Sequence, residues 1–283
     1  MDVDGGVAFV TGTSRGIGRA LALRLADEGM AVVSTGKTVE AHDRLPGTVV
    51  ETTEAIRERG GESIWRELDV RDEAVVREAV ADAVEEFGGL DLVVNNAGAI
   101  HFGPVAETPA KRFDLLTEVN VRGAYVTTRA ALPHLREGGG HVVSLSPPLG
   151  PTAAPGKAPY AYSKLGTTFL SNSLAAELGD EPVGVNALWP VAAVETEATR
   201  HFGMGSPEDW RTPAVVCDAL LEVVRRDPRT FSGHALYDEA VLREAGVDDL
   251  SGYSVVEGAS PGPTSARLFD PEFERPAPWP VDE

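Results

Sequence analysis

Tyr160-Ala161-Tyr162-Ser163-Lys164 sets a phenol and a primary amine four residues apart, a spacing that brings two side chains onto one helical face. A phenol of ordinary acidity, near ~10, is a poor base at neutral pH. An ammonium beside it would favour the phenolate and bring it into working range. Such a phenol can protonate a carbonyl oxygen during reduction or take the proton of an alcohol during oxidation. Tyr162 points to another face and is the weaker candidate.

A second group of residues explains what the pair would work beside. Thr11-Gly12-Thr13-Ser14-Arg15-Gly16-Ile17-Gly18 lies between an apolar run, Val7 to Val10, and a stretch of helical spacing through Ile17, Ala20, Leu21 and Leu25. Glycines at a strand-to-helix turn let the backbone approach a pyrophosphate, and the helix N-terminus offers unpaired N–H groups and partial positive charge. Gly12, Ser14, Arg15, Gly16, Ile17 and Gly18 are therefore candidates to bind a dinucleotide. An NAD-selective site usually carries an acid at the end of the second strand, against the ribose 2′-OH. Here that strand ends Ser34-Thr35-Gly36-Lys37-Thr38, without an acid, and Lys37 and Arg15 would attract a 2′-phosphate. NADP(H) is the expected cofactor. Asp69-Val70 after the third strand would meet adenine, and Asn96-Ala97-Gly98 after the fourth would make room for the adenosine ribose.

These pieces demand a scaffold that brings strand ends together. Strands are expected at Val7 to Val10, Ala31 to Ser34, Ser63 to Leu68, Asp91 to Asn95, His141 to Leu145, Val183 to Leu188 and Ser232 to Leu236. Helices are expected after Gly16 and at Thr48 to Arg59, Asp72 to Phe87, Ala110 to Arg136, Ala158 to Leu178 and Pro213 to Arg226. Strict alternation of this kind predicts an α/β, doubly wound (Rossmann) parallel sheet of about seven strands with helices on both faces. Residues 1–250 form the single dinucleotide-binding domain in this reading, and 251–283, dense in Gly and Pro, form a tail or an arm toward a neighbouring subunit.

Thr11-Gly12-x-x-x-Gly16-x-Gly18, Asn95-Asn96-Ala97-Gly98, Asn120, a serine after the fifth strand and Tyr160-x-x-x-Lys164 together resemble the short-chain dehydrogenase/reductase family, over roughly Val7 to Leu236. Gly36-Lys37-Thr38, Leu145-Ser146-Pro147-Pro148-Leu149 and Asn186-Ala187-Leu188-Trp189-Pro190 look like its hydroxysteroid dehydrogenase-like subgroup, without the lipid-transfer domain some members append. The resemblance implies that Lys164 holds the nicotinamide ribose and that Asn120 holds a relay water near it. It also implies that a serine orients the substrate oxygen and that the enzyme is a homodimer or homotetramer built through its long helices. Two motifs depart from the family. The position thirteen residues before the tyrosine is Pro147, so Ser146 serves only if the loop is one residue longer. The family's Pro-Gly after the sixth strand is Trp189-Pro190-Val191-Ala192, leaving Pro190 and Thr196 to meet the nicotinamide amide or the phosphates.

Composition narrows the partners. A net charge of −19 argues against nucleic acid. With 4 Lys against 21 Arg, the acidic surface reads either as adaptation to a salty cytoplasm or as the mark of a GC-rich genome. The lone Cys217 lies in an apolar run and permits no intrachain disulfide. Neither a secretory signal nor a run of the ~20 apolar residues a membrane helix needs is present, so a cytoplasmic protein is expected, with no membrane partner. No His, Asp and Glu cluster has zinc-site spacing; His101 and His141 are given no role. Val194 to Trp210, carrying Phe202, Met204 and Trp210, is expected to form a mobile flap. With Phe102, Leu149 and Trp189 it would enclose an apolar carbonyl or alcohol substrate. The alternative reading is a catalytically silent NADPH-binding sensor or scaffold.

Overall fold

The computed structural model describes residues 2–41, 46–149, 155–270 and 273–274. The chain opens with β1 (Val7–Thr11), α1 (Gly16–Asp27), β2 (Ala31–Gly36), α2 (Val49–Glu58), β3 (Ser63–Glu67), α3 (Glu73–Phe87) and β4 (Leu92–Asn95). It continues with α4 (Ala110–Leu116), α5 (Gly123–Gly138), β5 (Gly140–Leu145), α6 (Ala158–Leu178), β6 (Val183–Trp189), β7 (Ala193–Val194) and α7 (Glu197–His201). Then follow β8 (Trp210–Arg211), α8 (Ala214–Val224), β9 (Ala235–Tyr237), α9 (Asp238–Glu244) and α10 (Thr264–Arg267).

Seven strands pair in the order β3-β2-β1-β4-β5-β6-β9, all parallel, as the alternation predicts. The strands carry apolar residues at both parities because helices cover both faces. Ala8, Val10, Val32, Val94 and Leu188 join α1 and α8 in one core layer. Val7, Phe9, Val33, Val93 and Val185 join α3, α5 and α6 in the other. Cys217 is buried in the first layer, as expected of a small apolar residue. The chain runs outward from β1 through β2 to β3, then crosses back to β4 and outward through β5 and β6. The order therefore reverses between β1 and β4, where ligands of open α/β sheets bind.

Two expectations need correction. The long helix of Ala110 to Arg136 is interrupted at Thr117–Arg122 by a widened, π-type turn. There the Asn120 carboxamide bonds the N–H and C=O of Ala99 and the Ser163 hydroxyl, drawing the backbone inward. The tail expected at 251–283 is instead packed on its own chain as far as it is described. Ser265 and Ala266 both donate backbone N–H to the Val191 carbonyl, and Ala266, Phe269 and Phe273 are buried. Gly and Pro in this stretch interrupt periodicity without preventing burial of the apolar side chains between them. Among the described residues, no helix is long and apolar enough to cross a membrane.

Candidate active site

Every candidate cofactor residue lines one cavity of about 980 Å³ at the carboxyl ends of the strands, together with Tyr160, Lys164 and Ser146. The phosphate-binding turn is a backbone construction. Gly12 has φ +75°, and a Cβ there would fall 2.9 Å from the Ala97 Cα. A Cβ on Gly18 would fall 2.2 Å from the Gly12 carbonyl oxygen. Thr11 ties this turn to the end of β4 by accepting the N–H groups of Asn96 and Ala97, while the Asn96 amide donates to the carbonyls of Thr11 and Gly12. Asn96 thus works as a clamp as well as a wall.

Of the helices that begin after β1, β2 and β3, only α1 starts without a side-chain cap. Thr48 caps α2 and Asp72 caps α3 by accepting first-turn N–H groups. At α1 the cap position is Arg15, which supplies no side-chain acceptor, and the first turn holds no acid. Uncapped N–H groups and the helix dipole leave that end suited to a diphosphate. The residues present therefore fit a dinucleotide.

At the adenosine end, Lys37 Nζ lies 3.0 Å from Asp69 Oδ2, and the Arg71 guanidinium binds both Asp69 oxygens. The Arg71 hydrogen bond, followed by Lys37, holds the Asp69 carboxyl far below the usual carboxylate range. The expectation that Asp69 is open to adenine is thereby altered, because its carboxylate already has two cationic partners. The Arg15 guanidinium donates to the carbonyls of Pro46 and Gly47 and to the Thr38 hydroxyl, beside the end of β2. Thr196 caps α7, and a Cβ on Gly16 would stand 3.4 Å from its methyl group.

Around the reacting centre, Tyr160 and Lys164 are both buried. Lys164 Nζ donates to the Leu145 carbonyl at 2.9 Å. A Cβ on Gly98 would stand 3.5 Å from Asn120 Oδ1 and 3.6 Å from Lys164 Nζ, so these groups meet around one glycine. Asn120 itself lies behind the wall. Its carboxamide is fully engaged, and its carbonyl accepts the Thr167 hydroxyl. Ser146 follows β5 directly and is on the wall, with its hydroxyl donating to the carbonyls of Pro147 and Lys164 at 3.3 Å each. To donate to a substrate oxygen it must leave those carbonyls.

Among the protein's own groups, burial sets the direction for the pair, and the expected lowering of the phenol is left to Lys164 acting together with a cationic nicotinamide. Burial pushes the Tyr160 phenol above its ordinary value, and the same burial pulls the Lys164 amine down to about 8. Low dielectric disfavours both charged forms, and no ammonium effect offsets it here. Burial thus favours the neutral phenol.

The substrate side differs from the flap reading. Phe102, Phe202 and Met204 line the cavity as expected. Trp210 instead packs within its own segment, its indole N–H on the Met204 carbonyl. Trp189 donates to Thr168 and packs on Tyr237. Leu149 sits in the small cluster around Tyr160. Sequence reasoning missed Thr264, Ser265, Leu268 and Phe269, which complete the wall. Their one signal was a pair of apolar residues, Leu268-Phe269, in a Pro- and Gly-rich stretch, which says nothing about what they pack against.

A family model described as short chain dehydrogenase matches residues 6–204. Hydroxysteroid dehydrogenase-like protein 2 of Bos taurus is 38% identical over 258 residues, covering 90% of this chain and 61% of that protein. The chain thus spans about three fifths of that relative's length. A solved short chain dehydrogenase from Mycobacterium thermoresistibile is 39% identical with a TM-score of 0.85, covering 92% of this chain and 94% of that one. Another, from Mycobacterium paratuberculosis and bound to NAD, is 25% identical with a TM-score of 0.73, covering 84% and 97%.

Proposed function

The chain belongs to the short-chain dehydrogenase family, and we propose that it is a nicotinamide-dependent oxidoreductase that uses NADP(H) to interconvert a carbonyl and an alcohol on an apolar substrate, with Tyr160 as the proton donor and acceptor. The observation that carries this reading is the shared cavity: Tyr160, Lys164 and Ser146 open onto the same space as the uncapped end of α1. The bound dinucleotide supplies or accepts the hydride.

The chain's own residues do the rest. Gly12, Gly16 and Gly18 let the turn approach the diphosphate, and Arg15 and Lys37 favour a 2′-phosphate where no acid opposes it. Lys37 is largely exposed and has two N–H groups beyond its contact with Asp69, so both engagements are compatible. Asp69 and Val70 both line the cavity at the expected adenine position. Lys164 holds the ribose, and Pro190 and Thr196 meet the amide. A protonated Tyr160 gives its proton to the carbonyl oxygen as the carbon is reduced, and Ser146 turns to steady that oxygen. Asn120 positions this apparatus by bolting Ala99, after β4, to Ser163 beside Lys164.

NADPH absorbance followed against a panel of aldehydes and ketones tests the proposal, with Tyr160→Phe as control. That variant should lose about 10³-fold in kcat, the scale of a positioned acid, while binding NADPH as wild type does. Retained turnover removes Tyr160 from the chemistry, and uniform inactivity of wild type despite tight cofactor binding favours the silent sensor. Self-association through α6 is part of the same proposal. Tyr162, Leu165 and Phe169 stand exposed on it, and Phe113 of α4 stacks on Tyr162. Sedimentation equilibrium reads the subunit count.

A further inference from the structure

The space around the Tyr160 ring has a shape that cofactor binding does not require. Phe102 meets that ring edge-on, with centroids 5.5 Å apart and planes at 86°. Phe269 lies along it at 5.8 Å and 32°. Phe202 closes on Phe102 at 5.3 Å. Phe269 is 2% exposed and clusters with Leu116 and Leu268. Among the described residues, the Tyr160 hydroxyl makes no hydrogen bond, although the rest of its ring is enclosed.

The ring that flanks the phenol is also firmly held. Phe269 follows α10, whose first turn is fixed by the two N–H donors, Ser265 and Ala266, on the Val191 carbonyl at 3.1 Å. The Thr264 hydroxyl accepts the Ala193 N–H at 2.8 Å. Val191 is secured from its other side, its N–H donating to the buried carboxylate of Asp238 at 3.0 Å. A side chain on such a mounting does not swing aside cheaply.

We propose that Phe269 is a specificity-determining residue. With Phe102 it frames a slot that admits a carbonyl borne on a slim, unbranched apolar chain and turns away a carbonyl built into fused rings. This rests on the oxidoreductase reading above. The reasoning is steric. The reacting oxygen must come within ~2.6–3.2 Å of the Tyr160 hydroxyl. The two substituents of the carbonyl carbon then lie beside the phenol, where Phe102 and Phe269 stand. An aldehyde or methyl ketone places one small substituent there and trails the other along the apolar wall. A ring ketone presents two bulky, tied substituents and meets both phenyl groups.

The test compares kcat/KM with NADPH for octanal and 2-octanone against 2-decalone, a fused two-ring ketone. Wild type should favour the straight-chain probes at least tenfold. Phe269→Ala should lower that preference at least tenfold, chiefly by lowering the KM for 2-decalone. Phe269→Leu, which keeps an apolar side chain at the buried site and guards against a variant that fails to fold, should lower it by a smaller factor. A wild-type preference for 2-decalone overturns the slot. So does an unchanged preference in either folded variant that still binds NADPH. Wild type that reduces none of the three, while reducing some other carbonyl, overturns the slot and leaves the function standing; wild type inactive on every carbonyl overturns both.

Discussion

At the phosphate-binding end of the cavity, one short run between β1 and α1 supplies the whole cradle, and its chemistry is that of the backbone: N–H groups, a helix dipole and glycines that permit close approach. At the substrate end, Phe102, Phe202 and Phe269 arrive from three segments far apart in the chain, and side-chain volume makes the shape. The first end tolerates almost no added atom at Gly12 and Gly18, where a single Cβ meets main chain. The second is filled by rings that can be exchanged for smaller ones at a cost in selectivity and packing. A site assembled from local backbone is thus rigid in sequence, and one assembled from distant side chains is adjustable.

The sharpest way to break that contrast is Gly18→Ala. Its methyl group would stand 2.2 Å from the Gly12 carbonyl oxygen and 2.3 Å from the Asn96 amide. Overpacking of this kind costs about 1–3 kcal/mol or more, so NADPH affinity measured by fluorescence titration should fall ~10- to 100-fold. Near-normal affinity would show that the turn yields after all. Lys37→Asp asks whether side chains matter at the backbone-built end. It removes a cation from the end of β2 and sets an acid near Asp69. Preference in kcat/KM should move toward NADH by about tenfold, a modest figure because Lys37 is exposed and screened. An unchanged preference removes Lys37 from the cofactor site.

A third expectation, read in stability and not in cofactor affinity, concerns the mounting of α10. Asp238 is buried, one of its oxygens has no partner, and burial foremost raises its carboxyl to about 7. Glu239 beside it opposes ionisation and Arg211, paired with Glu239, favours it. An unfolded aspartate titrates near ~3.9. Between about pH 4 and 7 the native state therefore holds the extra proton. This contribution to stability is complete below pH 4 and is lost as pH rises to 7, at up to about 1.4 kcal/mol per pH unit. Thermal melts of wild type and Asp238→Asn across that window should converge or diverge accordingly, with the aspartate protein losing ground as pH rises. Parallel curves would remove Asp238 as the titrating group.

The same contrast governs what could be read from the sequence. The dinucleotide turn, the alternation of β1 through β6 and the Tyr160–Lys164 spacing are all local, and each appears in the structure where the residues predict it. The environment of the pair was not legible. Its spacing suggests mutual charge stabilisation, whereas burial, to which Phe102 and Phe269 contribute at the phenol, favours the neutral forms of both groups. The pairing of Lys37 with Asp69 was equally hidden, because it joins the ends of two strands. The widened turn at Thr117–Arg122 follows from where the Asn120 carboxamide finds partners, not from any propensity of its own residues. The role of 264–269 depended on contacts with Val191, more than seventy residues away in sequence.

The attachment of α10 has a consequence for how such a protein can change over generations. Two of its three anchors are main-chain N–H groups on a main-chain carbonyl, which any residue but proline can supply. Mutation is therefore free to try new side chains along this stretch while the catalysts and the nucleotide cradle stay as they are. A lineage could acquire a taste for different molecules by revising a few codons of this one stretch.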